Sequence, residues 1–366
     1  MGDEMQRVKK WLDIRIGLDD LIRTHLTEYR VPGDLNIFYT LGAVALVIFV
    51  AQVITGLFLL VFYIPDSDKA FRSVQKIMNT IPYGWFFRQM HVVGSTLMVV
   101  VVILHAMAVF VMGGYKKPRE LTWVVGSFML FCTIAFCLSG YLLPWSQLSY
   151  WATTIATTIP TAFPYIGDWT AALMKGGQQV SGVTLNRFFA IHIMLLPMAL
   201  LVLLGLHLFL VRRIGISSPP FGSAEHEKPW TEYRHESYPQ GSPFFPDFIL
   251  KETMVVMVVF TVMFFIISLM PTLLLPEEAN IPADPFRTPA HIKPEWYFLA
   301  PYQMLKTIPN KFLGITLQMI LAAAFIVWPF MDVNEERNIL KRPRLLLFFI
   351  IGTILWIVFT LWGKAS

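Results

Sequence analysis

Long apolar runs separated by polar connections dominate the chain. Runs long enough to cross a hydrocarbon core of roughly 30 Å fall near residues 36–63, 90–112, 122–143, 188–211, 252–275, 312–331 and 345–363. The pattern predicts an all-α polytopic membrane protein with seven transmembrane helices. Residues 1–35 are polar and charged and lack a cleavable apolar core, so the spans themselves are expected to direct insertion. Within that tail Trp11, Ile14, Leu18, Leu21, Ile22 and Leu26 recur at helical spacing opposite Asp13, Arg15, Asp19 and Arg23. That spacing reads as an amphipathic helix, either lying in the membrane interface or on the protein surface.

Composition sharpens this picture. The chain is 55% hydrophobic and 14% charged, against roughly 25% charged in soluble domains. Lys and Arg number 18 on the tail and alternate connections and 11 on the opposite side, which places the N-terminus on the cytoplasmic, or negative, side. The net charge of +5 then reflects topology; no base-reading motif is present and nucleic acid is excluded as a partner. Cys132 and Cys137, the only cysteines, lie about 140° apart around a helix and read as core residues. No CxxCH occurs, so any haem held here is not attached through that signature.

The informative polar residues are histidines inside two spans. His91 and His105 are 14 residues apart in the second, and His192 and His207 are 15 apart in the fourth. Each pair falls near one helical face, separated by about 21 Å. Two helices carrying stacked histidines can clamp two metal centres in tiers, and bis-imidazole ligation of haem iron uses one neutral nitrogen from each side. The one-residue mismatch needs a local bulge, and Pro197 lies where it can open the helical ladder. Gly42 and Gly56 in the first span, and Gly126 and Gly140 in the third, repeat the 14-residue period. They predict a four-helix, two-haem bundle in which glycine admits a flat macrocycle, small-residue helix packing being the alternative. Arg88 and Arg187 precede His91 and His192, where they suit haem propionates or act as interface anchors. The expected tiers are His91 with His192 on the positive side and His105 with His207 on the negative side.

Two positive-side connections, 140–160 and 291–311, are rich in Pro, Trp and Tyr. Glu295 is a lone acid in that frame, either a proton acceptor tuned by desolvation or a capping carboxylate. With NIFYTLGAVALVIFVAQVITG, GGYKKPRELTW, GYLLPWSQ, TLNRFFAIH, PEWYF, TIPNKFLG and the final KRP segment, the chain resembles cytochrome b of the quinol-oxidising cytochrome bc complexes. It is most similar to the chloroplast-type form fused to its subunit IV.

The resemblance implies that Glu295, Tyr297 and Tyr141, with Pro294, Trp296 and the 144–160 segment, form a positive-side quinol-oxidation pocket. It implies two non-covalent b haems on the four histidines, a Rieske iron–sulfur protein and a c-type cytochrome as partners, and a homodimer in a bacterial inner membrane. Residues 1–215 match the haem-binding half, 216–248 a negative-side linker, and 249–366 the subunit IV-like half. Thr40 stands where the chloroplast form has a haem-binding cysteine, so no covalent third haem is expected. Arg212, Lys251 and Glu252 correspond to negative-side quinone positions, although Lys251 and Glu252 also suit a helix entrance. A dihaem membrane anchor of a dehydrogenase or hydrogenase, and a transporter with interior histidines, are the rival readings.

Overall fold

The computed structural model describes residues 2–221, 238, 241–289 and 292–366. Residues 222–237 and 239–240 of the expected linker therefore lie outside the described residues. Most of the described residues are helical, and seven helices among them are long and apolar enough to cross a membrane. They comprise α3 (Leu41–Phe62), α5 (Gly84–Val111), α6 (Glu120–Leu142), α9 (Gly182–Ala190) running through a π turn into α10 (Leu196–Ile214), α11 (Ile249–Leu269), α13 (Lys311–Met331) and α14 (Pro343–Ala365). Their outward faces carry the large exposed apolar side chains that lipid accommodates.

Local chemistry moves several ends away from the hydropathy boundaries. Helix α5 starts six residues earlier than expected because its first turns bury Arg88 and Gln89, polar residues that a hydropathy reading discounts. Helix α9 starts at 182, where Ser181 and Thr184 form a reciprocal capping box. Helix α11 stops at Leu269 instead of 275 because Pro271 follows and cannot donate into the helical ladder. The expected single N-terminal helix is two: α1 (Gly2–Ile16) and α2 (Leu18–Ile22) meet at Gly17, whose φ of 62° breaks the helix. Trp11 and Ile14 remain exposed.

Four spans form the N-terminal bundle, with α3 packed on α5, α6 on α10 and α5 on α6. Helix α11 closes one side through Val44, Ile48 and Val101 against Val255, Val259 and Phe260. Helix α13 packs on α6, and α14 packs on α12 (Trp296–Thr307). At the end of the bundle that the Lys and Arg count assigns to the positive side, the two halves are stitched by backbone. Trp145, held at φ 52°, turns the chain between α6 and α7 (Gln147–Thr158). Its carbonyl accepts from the Ala283 amide at 3.1 Å, and the Gln147 amide donates to the Ile281 carbonyl at 2.9 Å.

The negative side is joined by charge. Asp332 accepts from Lys116 Nζ at 2.7 Å and from both terminal nitrogens of Arg342, at 2.8 and 2.5 Å, and it is also hydrogen-bonded by Tyr115. Burial alone would raise this carboxyl. The hydrogen bonds from Arg342, Lys116 and Tyr115 outweigh burial and hold it well below the ordinary carboxylate range.

Candidate functional site

The extra residue between His192 and His207 is absorbed where Pro197 suggested. Residues Ile191–Leu195 form a π turn containing His192, and Pro197 follows in the first turn of α10. Its missing amide leaves the carbonyl four residues back without its helical partner. His192 therefore returns to the face of His207 and meets His91, with ring centroids 6.3 Å apart. Metal–imidazole bonds of about 2.0–2.1 Å on both sides of one ion put two such centroids roughly 6 Å apart, so this pair is spaced for a shared metal.

Around the positive-side tier, Nδ1 of His91 lies 2.9 Å from Thr55 Oγ1 and Nδ1 of His192 lies 3.0 Å from Ser139 Oγ. A Cβ at Gly56 would sit 3.4 Å from His91 Cε1, and one at Gly140 would sit 2.6 Å from His192 Cε1. The glycines thus make room first for the histidine rings, a closer role than admitting a macrocycle. Arg88 is 7% exposed, and no carboxylate pairs with it among the described residues. Arg187 is exposed and donates to the Leu173 carbonyl in the last turns of the helix Gly167–Lys175.

The negative-side tier is built differently. Gly42 faces His105, with a Cβ at 3.4 Å from Cε1, and Gly126 faces His207 at 3.2 Å. Both Nδ1 atoms are buried without a side-chain partner, and the Thr122 carbonyl lies beside the His207 ring. The two rings open on a cavity of about 590 Å³ that extends to His25, Tyr29, Arg119, Arg212 and Glu252. Arg212 donates to the Thr24 carbonyl at 2.8 Å, lies 3.1 Å from His25 Nδ1 and stacks 3.5 Å above the Tyr29 ring. Burial pushes the Tyr29 phenol up, and Arg212 pulls it part of the way back. Lys251 is exposed and lines no part of the cavity, whereas Glu252 does. Thr40 is buried, its hydroxyl donating to the Ile37 carbonyl at 2.7 Å.

A second cluster lies at the positive-side end of α6. Glu295 occupies the N-cap position of α12 but its side chain caps no amide; instead it lies beside the Tyr141 hydroxyl, which favours its charged form. Burial pushes its carboxyl up, and the Tyr141 hydroxyl offsets part of that shift. Tyr297 is 9% exposed, its phenol raised by burial and lying beside the Cys137 thiol. Pro294 precedes the helix in non-helical backbone, and Trp296 packs edge-on against Tyr297 and Trp356. The structure therefore brings Glu295, Tyr141 and Tyr297 together from two distant motifs and adds Cys137, which the sequence placed merely in the core.

Two imidazoles at metal-sharing distance, glycine opposite each ring and a buried guanidinium without an anion fit an anionic, iron-bearing macrocycle. Fold and site together define a helical membrane protein whose two interior tiers of paired histidines suit a metal-bearing cofactor.

Residues 26–215 match the family model described as cytochrome b/b6/petB, and residues 282–366 match that described as cytochrome b (C-terminal)/b6/petD. Cytochrome b of Allochromatium vinosum is 34% identical over 345 residues, 92% of this chain and 83% of the relative. Cytochrome b of Rickettsia conorii is 35% identical over 334 residues, 91% of this chain and 81% of the relative. A solved structure of a hyperthermophilic respiratory Complex III superposes with a TM-score of 0.88 at 37% identity, covering 97% of this chain and 91% of that one. The chain belongs to the cytochrome b/b6 family. It is an integral-membrane electron-transfer protein with haem b as its cofactor, and a subunit of an oxidoreductase.

Proposed function

We propose that the chain is the dihaem subunit of a quinol-oxidising cytochrome bc complex, which oxidises quinol on the positive side and reduces quinone on the negative side. The carrying observation is Glu295, a half-buried carboxylate that caps nothing and lies beside the Tyr141 hydroxyl from the other half of the chain. In this reading residues 1–215 form the haem-binding half, 216–248 the linker and 249–366 the half that supplies PEWYF.

His91 with His192 and His105 with His207 would each hold one iron, and Arg88 would meet a propionate. Haem, when bound there, supplies one-electron centres in two tiers across the membrane. A quinol hydroxyl entering beside Tyr141 gives its proton to a Glu295 carboxylate oxygen. The raised carboxyl keeps that proton long enough for oxidation to proceed, and the side chain then returns it to positive-side water. Tyr297, packed under Trp296 and lying beside Cys137, narrows the pocket and excludes water. On the negative side Arg212 and Glu252 line the cavity that would take quinone, and exposed Lys251 stands outside it.

A Rieske iron–sulfur protein and a c-type cytochrome complete the complex in this reading. The likeness to a respiratory Complex III structure over 97% of this chain supports the same assembly. We place a homodimer of the complex in a bacterial inner membrane, N-terminus on the cytoplasmic side.

Glu295→Gln keeps the size of the side chain and loses the base. Steady-state quinol oxidation by the intact complex should fall about 10²- to 10⁴-fold while the reduced-minus-oxidised haem spectrum is unchanged. Because the carboxyl is raised, the wild-type rate should decline with falling pH earlier than an ordinary carboxylate near 4.3 would dictate, and the variant should lose that limb. A wild-type rate and pH profile in a spectrally normal variant would remove Glu295 from the mechanism.

A further inference from the structure

The two tiers differ by one atom beside each ring. Thr55 Oγ1 carries one hydrogen, and two carbonyls compete for it, Ala51 at 2.8 Å and Gln52 at 3.1 Å. With that hydrogen committed, the oxygen meets His91 Nδ1 at 2.9 Å as an acceptor. Nδ1 must then carry the ring proton, leaving Nε2 with a free lone pair. Ser139 repeats the arrangement: its hydroxyl donates to the Phe136 carbonyl at 3.1 Å and accepts from His192 Nδ1 at 3.0 Å. Both hydroxyls immediately precede the glycine that faces the same ring, Thr55 before Gly56 and Ser139 before Gly140. The corresponding residues of the negative-side tier are Leu41 before Gly42 and Val125 before Gly126. Neither has a hydroxyl: Nδ1 of His105 and His207 has no side-chain partner, and only the Thr122 carbonyl lies beside His207, as the Gln52 and Phe136 carbonyls lie beside the positive-side rings.

We infer that Thr55 and Ser139 are positioning residues that fix the Nε2-ligating tautomer of His91 and His192 and lower the reduction potential of the positive-side haem relative to the same site without them. The inference rests on the haem-ligand reading above. An imidazole whose Nδ1–H is held by an acceptor is a stronger donor at Nε2. A stronger donor favours the oxidised iron, so losing the acceptor raises the potential. The carbonyls of Gln52 and Phe136 lie on the same side of these rings and bound the effect, since each can take over part of the bond.

The test is a potentiometric titration of the holo complex with the two haems resolved spectroscopically. Thr55→Val and Ser139→Ala should each raise the positive-side midpoint, by up to about tenfold in the reduced-to-oxidised ratio, or about 59 mV for one electron. Thr55→Ser and Ser139→Thr keep the hydroxyl and should stay near wild type, and the negative-side midpoint should not move in any of the four. Loss of the positive-side haem in Thr55→Val or Ser139→Ala, restored by the matching hydroxyl-retaining variant, also supports the role. Unchanged midpoints with both haems present overturn it, as do equal shifts in both tiers or haem loss that the hydroxyl-retaining variants share. Wild-type complex without bis-histidine haem would instead defeat the ligand reading itself.

Discussion

The positive and negative ends of the bundle use the same period of glycine and histidine and reach different environments. At the positive end the rings are close, hydroxyl-held and tightly faced by glycine, and the chain halves are tied by backbone hydrogen bonds. At the negative end the rings lack hydroxyl partners and open on a large cavity, and the halves are tied by a buried carboxylate between two cations. A repeated ligand spacing therefore places two cofactors without making them equivalent. The neighbours one residue away, and the loops beyond the spans, decide what each tier can do.

The largest effect should come from filling the glycine slots. A Cβ at Gly140 would sit 2.6 Å from the His192 ring, against 3.2 Å for Gly126 and the His207 ring. Contacts under 3 Å force a shift in a well-packed interior, and His192 sits in a π turn whose geometry the tier depends on. Gly140→Leu should strip the positive-side haem and leave the negative-side one, whereas Gly126→Leu, bordering the cavity, should weaken its haem without removing it. Pyridine haemochrome analysis of stably inserted variants measures this. Equal retention in both would erase the difference between the slots.

Much of this arrangement can be read in the chain itself. Seven spans, the four histidines, the glycine period and the bulge near Pro197 follow from spacing, because one helix enforces them locally. The roles of Thr55 and Ser139 depend on which helix faces which, and hydroxyls in a span ordinarily bond their own helix, as both also do. The pairing of Thr-Gly and Ser-Gly against Leu-Gly and Val-Gly was a signal in plain sight. Asp332 gave none, since its partner Lys116 is 216 residues away. His25 and Arg212 are 187 residues apart in sequence, and Arg187 meets a helix carbonyl, Leu173, that charge counting ignores.

A middle-sized effect probes the contrast between backbone and ionic junctions. Asp332 is 4% exposed, between Lys116 and Arg342. Asp332→Asn leaves both cations facing a neutral partner, and breaking a buried pair in this way costs about 3–5 kcal/mol. Its folded-state carboxyl is depressed, so the stabilisation is present above the unfolded value near 3.9 and fades as pH falls below it. Thermal unfolding in detergent should show a lower apparent Tm for the variant at pH 7, and the gap should narrow toward pH 3. A gap independent of pH would assign the loss to packing.

The smallest effect concerns the mouth of the negative-side cavity. Arg212 uses its planar fork there, one nitrogen donating to the Thr24 carbonyl and approaching His25, with the plane over Tyr29. Lysine at this position keeps the charge but loses the stacking and the fork. If the guanidinium positions quinone by holding the 24–29 segment, Arg212→Lys should weaken apparent quinone affinity about tenfold, roughly 1.4 kcal/mol, with both haem spectra unchanged. Lys251→Ala, altering an exposed side chain outside the cavity, should leave affinity within twofold of wild type. Quinone-dependent reoxidation of the pre-reduced complex, followed against quinone concentration, separates the two. A normal affinity in Arg212→Lys would mean that charge alone suffices at this mouth, and a large loss in Lys251→Ala would return that lysine to the site.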